Sequence, residues 1–95
     1  MAKTNNKMKM HIAVWIMMNL YVLEDFTEAI EISIIKKVLA KAGYCNEEVS
    51  EIIEILKNNK FISISDEFVA ITENGISFWN SKKFLINIRN IINKG

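Results

Sequence analysis

Residues Asn46 to Trp79, NEEVSEIIEILKNNKFISISDEFVAITENGISFW, decide the fold. Val49, Ile52, Ile53 and Leu56 recur at i, i+3, i+4 and i+7, which lays one apolar stripe along a helix over Asn46–Asn59. Asn46 is placed to accept an amide that the first turn leaves unpaired, and Glu47 and Glu48 follow where the helix dipole favours negative charge. After Lys60 the period changes to two. The runs Phe61–Ser65 and Phe68–Thr72 are β-branched and aromatic, and they flank Asp66-Glu67. Two residues between such runs make a hairpin, although Asp-Glu is poorer turn chemistry than Asn-Gly. Thr72 is placed to cap a further helix, with Glu73 in its first turn.

On the amino-terminal side, Ile30, Ile32 and Ile34 alternate with Glu31 and Ser33 as in a short strand. The spacing then becomes helical, with Ile34, Ile35, Val38, Leu39 and Ala42 on one face from about Ser33 to Ala42. Ser33 is the expected cap, and Gly43 can take the left-handed conformation that closes the helix. This helix, the Gly43-Tyr44-Cys45 turn and the helix at Asn46 make a helix-turn-helix. Earlier still, Met8–Leu23 reads as a buried helix, because Ile12 through Met18 is apolar on every side and must be covered on every side. The run superficially resembles a signal peptide, but no small-residue cleavage site follows. It is also shorter than the ~20 residues a bilayer crossing needs, so no membrane partner is expected.

At the other end, Glu73–Lys94 reads as one helix about 30 Å long at 1.5 Å per residue. Phe84, Leu85, Ile88, Ile91 and Ile92 form its main apolar face. A domain this small covers one face of each terminal helix, so the expectation is a homodimer built from residues 8–23 and 73–94. Its interface would include Ile12, Trp15, Ile16, Leu85, Ile88 and Ile92 and bury on the order of 1,600 Å² or more. Residues 1–7 read as a flexible basic arm.

Composition agrees with one compact, helix-rich domain over residues 1–95. Half the residues are apolar, with three glycines and no proline. The single cysteine excludes an internal disulfide and favours a reducing, cytoplasmic setting. Cys45 lies near the start of a helix, where thiols are often reactive, and it is the candidate redox residue. His11 is the only histidine. Paired metal-ligand cysteines, phosphate-cradling glycine loops and nucleophile motifs are missing from the sequence, so neither catalysis nor a metal or cofactor is expected.

The order helix, short strand, helix-turn-helix, hairpin, helix resembles the winged-helix superfamily over nearly the whole chain. Ala42-Gly43-Tyr44 at the turn, Val49 and Ile52 on the second helix, LKNNKFI at Leu56–Ile62 and ITENG at Ile71–Gly75 carry the likeness. Lys60 stands where the family commonly has glycine, and the wing is very short. The fold class expected is therefore α+β, mainly helical: a winged helix-turn-helix with a two-stranded wing and a long C-terminal helix. The resemblance implies double-stranded DNA as partner, transcriptional regulation as a dimer, and the Asn46–Asn59 helix in the major groove.

The charges complicate that implication. Between Asn46 and Gly75 seven acids face two bases, a balance of −5, and the outward side of the Asn46–Asn59 helix is expected to show Glu47, Ser50, Glu51, Glu54 and Asn58. Positive charge gathers at the ends and on Lys36, Lys37 and Lys41. Since phosphate contacts supply most non-specific affinity, a DNA contact would lean on lysines, and the candidate nucleic-acid-binding residues are Lys36, Lys37, Lys41, Ser50, Lys57, Asn58 and Lys60. The alternative is an interaction module that does not bind DNA and docks a protein partner on the acidic helix 46–59.

Overall fold

The computed structural model describes residues 6–24 and 29–94, and the side chains of all but Asn6 and Glu24 among them. The chain is α+β and mainly helical, in the order α1 (Asn6–Glu24), β1 (Ile30–Glu31), α2 (Ile32–Lys41), α3 (Asn46–Asn58), β2 (Ile62–Ser65), β3 (Phe68–Ile71), α4 (Glu73–Trp79) and α5 (Phe84–Lys94). This arrangement is compatible with a winged-helix fold. The basic arm expected over residues 1–7 lies outside the described residues as far as residue 5; Asn6 and Lys7 already belong to α1.

The hairpin forms where the alternation places it. Ile62 pairs with Ile71 and Ser65 with Phe68, leaving Asp66 and Glu67 as the two turn residues. Both have positive φ, 51° and 70°, the signature of a type I′ turn. The strand expected over Ile30–Ile34 is cut to two residues, Ile30 against Val69 and Glu31 against Phe68, which makes a three-stranded antiparallel sheet in the order β1-β3-β2. Its brevity has a local cause. The Ile32 amide donates to the Glu67 carbonyl oxygen at 2.9 Å, so the wing tip satisfies one of the amides that the first turn of α2 leaves unpaired. α2 therefore starts at Ile32 without Ser33 as its cap. α3 likewise begins one position early, with Cys45 at the N-cap and Asn46 already helical.

Val49, Ile52, Ile53 and Leu56 are all buried, as the periodicity requires. Gly43 closes the α2 end at φ +100°, and Thr72 caps α4 by accepting the Gly75 amide at 2.9 Å. Lys60 is left-handed at φ 65°, the conformation that a glycine would adopt more cheaply.

The terminal helices depart from expectation. α1 is not half covered; it is the centre of the chain, packed against α3, α5, α4 and β3. Ile12, Ala13, Ile16, Met17 and Leu20 are buried there. The helix from Glu73 to Lys94 is broken into α4 and α5 at Asn80–Lys83, where the Lys83 amide donates to Ser81 Oγ at 3.2 Å. Polar side chains that bond the local backbone compete with helix continuation. The break turns α5 back, so that Phe84, Ile88 and Ile92 join the core. An aromatic group holds the corner: Phe61 stacks on Phe78 at 4.0 Å, and Phe84 meets Phe78 and Trp79 edge-on at 5.1 and 4.8 Å.

Ile12, Ile16, Ile88 and Ile92, expected at a dimer interface, are thus core residues of a single chain. Sequence periodicity demands cover for an apolar face and does not say which chain supplies it. Of that interface set, only exposed Leu85 and half-buried Trp15 reach the surface.

Candidate nucleic-acid interface

The buried stripe of α3 fixes which of its residues face outward. Glu47, Glu54, Lys57 and Asn58 are exposed, with Ser50 half-buried on one flank. Glu51 is not part of this free face. Lys9, a residue of α1 that is only 7% exposed, donates from Nζ to Glu51 Oε2 at 2.6 Å. The pair ties the central helix to α3 and neutralises one of the glutamates that oppose phosphate. A second lysine, Lys57, lies 3.8 Å from Glu54 one turn earlier. Both of these groups are well exposed, so that contact is a weak one.

The structure brings part of the expected basic set together. Lys36 and Ser50 line one shallow groove of about 180 Å³ between α2, α3 and β2, with Ile32, Ile53, Ile64 and Glu54 completing it. Lys37 and Lys41 are exposed on α2. Asn58 falls in a different groove, about 330 Å³, at the far end of α3, where it meets Ile55, Asn59, Ile91 and Lys94. Lys60 is exposed just beyond that end, and its carbonyl oxygen accepts the Thr72 hydroxyl at 2.6 Å. The bases therefore form two groups, one along α2 and one at the C-terminal end of α3, and acidic Glu54 lies in the first groove beside Lys36.

Two residues that matter here were not in the sequence-derived set. Lys94 is brought beside Asn58 only because α5 folds back. Lys9 is flanked by Met8 and Met10 on α1, and its partner Glu51 lies on a distant segment that no local spacing points to. The wing tip offers no basic contact, since Asp66 and Glu67 are both exposed and β3 is held to the start of α2.

The Cys45 thiol is exposed in the turn before α3. With one cysteine in the chain, any disulfide it forms is intermolecular. His11 Nδ1 lies 3.5 Å from the Tyr44 hydroxyl, which places the histidine at the seam between α1 and the helix-turn-helix turn. Among the described residues, no group of three or more His, Cys, Asp or Glu could hold a metal ion, and no helix is long and apolar enough to cross a membrane. No protein-family model matches the chain, and neither a curated protein nor a solved structure does.

Proposed function

We propose that the chain is a small winged-helix protein that binds double-stranded DNA as a homodimer and regulates transcription. The observation that carries this reading is the setting of α3. Its apolar side is packed on α1, Lys9 takes up the charge of Glu51, and Lys36 and Ser50 lie together along the outward flank. A helix so held can enter a major groove by its free side, with α2 lysines on the backbone beside it.

The test is a titration of purified protein with random duplex, followed by fluorescence anisotropy at increasing salt. Binding through several lysines weakens steeply with salt, with a slope of about −0.9 per phosphate neutralised. The double change Lys36→Glu/Lys37→Glu, at half-buried Lys36 beside the groove and at exposed Lys37, should abolish the complex and leave the far-UV spectrum unchanged. Failure to bind at low salt would reject the reading.

One observation favours a second reading. Exposed Glu47 and Glu54 lie on the helix that would meet phosphate, and Asp66 and Glu67 occupy the wing tip. On this reading the acidic face docks a basic protein surface, and the same titration shows no DNA complex.

A further inference from the structure

The outer face of the wing carries one residue that does not suit it. Side chains alternate along a strand and cross-strand partners share a face, so buried Val69 sets Ile30 and Ile64 on the inner side. Phe68 lies on the other side, directly across from Glu31 and Ser65, and is 47% exposed. Its companions on that face are Ser63 and Ala70. Exposed Asp66 and Glu67 precede it at the tip, and no lysine or arginine occurs from Phe61 to Thr72. The patch is thus one aromatic ring in an acidic setting.

A patch of opposite sign lies on α5. Phe84, Ile88 and Ile92 face the core, which turns Leu85, Ile86 and Arg89 outward, with Lys82 and Lys83 just before them. Leu85 and Ile86 are 59% and 50% exposed. All three bases are exposed, and no acid occurs after Glu73. The ion pairs Lys9–Glu51 and Lys57–Glu54 involve none of these bases, nor Glu31, Asp66 or Glu67.

We propose that the outer wing face of one copy docks on the outer face of α5 of a second copy. Phe68 meets Leu85 and Ile86, while Glu31, Asp66 and Glu67 meet Lys82, Lys83 and Arg89, so sign and apolar content both match. Other surfaces of the chain match less well. The acidic face of α3 exposes Glu47 and Glu54 without an exposed apolar side chain. On α2, Ile34, Lys37, Val38 and Lys41 are exposed, but with two bases in place of three, and the function proposed above uses those lysines on DNA. The contact rests on the self-associating part of that function and not on DNA. Of the interface residues expected from the sequence it keeps Leu85.

Patches of this size make a weak contact, so it is read by sedimentation of the full chain at submillimolar concentration and low salt, without DNA. The mass should rise above the 11.0 kDa of one chain and fall back as salt screens the charges. Phe68→Lys and Leu85→Glu, both at exposed positions, should each give the single-chain mass with an unchanged far-UV spectrum. Mixing them is decisive, because a contact between unlike patches leaves each variant the patch that the other lacks. The mixture should associate although neither variant does so alone. Ile86→Glu takes the place of Leu85→Glu should that variant fail to fold. A monomeric wild type, an association that survives either change, or a mixture that stays monomeric overturns the docking. So does loss of association on Val38→Glu, which alters only the α2 stripe. A monomer that binds duplex rejects the contact and leaves the nucleic-acid reading standing. Association in a chain that binds no duplex supports the contact and rejects that reading.

Discussion

Lys9 and Glu51 stand 42 positions apart in the chain, yet their charged ends meet at 2.6 Å, the ammonium almost wholly buried and the carboxylate partly in water. The asymmetry decides what each substitution does. Removing the carboxylate leaves a buried ammonium without a counter-charge, whereas removing the lysine leaves a carboxylate that water can solvate. Breaking a fully buried pair costs about 3–5 kcal/mol, and the exposure of Glu51 reduces this, so Glu51→Ala should cost roughly 2–3 kcal/mol. Lys9→Met, which keeps the apolar stem, should cost less than about 1 kcal/mol. Urea unfolding of the two variants checks the order. Equal costs would mean that the pair adds little beyond packing.

The wing turn should be improvable. Asp66 and Glu67 both sit at positive φ, where a residue with a Cβ is strained by about 1–2 kcal/mol relative to glycine. Asp66→Asn/Glu67→Gly supplies the preferred type I′ pair and should stabilise the fold by about 1 kcal/mol, a rise of roughly 4–8 °C in Tm for a domain this size. Lys60→Gly should act in the same direction by about 1 kcal/mol, because φ at Lys60 is 65°. Thermal melts of the two variants test this, and a lower Tm for the Asn-Gly turn would mean that the side chains at the tip are anchored by something other than the turn.

Gly75 and Gly43 should fail for different reasons when changed to alanine. A Cβ on Gly75 would overlap the Phe61 carbonyl oxygen and approach Ile71 Cγ1 to 2.8 Å, so the start of α4 cannot seat against the hairpin. Overpacking against backbone costs typically about 1–3 kcal/mol, and Gly75→Ala belongs at the upper end. Around Gly43 nothing lies within 4 Å, and only its φ of +100° resists a side chain, so Gly43→Ala should cost about 1 kcal/mol. Chemical denaturation separates them, and near-equal losses would contradict the close approach at Gly75.

Much of this architecture can be read from local pattern. The α3 stripe, the hairpin register, the Gly43 closure and the Thr72 cap each depend on neighbours within a few positions, and each forms as the residues dictate. What local pattern leaves open is long-range. Ile12 and Ile88 announce that they need cover, but only the break at Asn80–Lys83 lets α5 supply it from the same chain. Lys60 looks like a departure where glycine is common, and the backbone is left-handed there regardless. Of the candidate site, Lys36 and Ser50 converge because α2 and α3 pack as a helix-turn-helix. The pairing of Lys9 with Glu51 belongs to a contact between distant segments that no spacing encodes.

Glu54 is the residue on which the two readings of α3 part. It is exposed at the middle of the outward face, lines the groove with Lys36 and Ser50, and among the described residues makes one ion pair, the weak contact with Lys57. Against a phosphate ~4 Å away, a unit negative charge costs about 1 kcal/mol in water and about 4 at an effective dielectric of 20. If the helix enters DNA, Glu54→Gln should therefore tighten binding to random duplex by roughly fivefold or more at low salt, 1 kcal/mol being about fivefold. The gain should shrink as salt screens the charge. Should Glu54 instead accept from a cytosine amino group, the same change would weaken one preferred sequence while still strengthening random duplex. Anisotropy on both kinds of duplex distinguishes these outcomes. No gain on random DNA at any salt would place Glu54 away from phosphate and leave the acidic face to a protein partner.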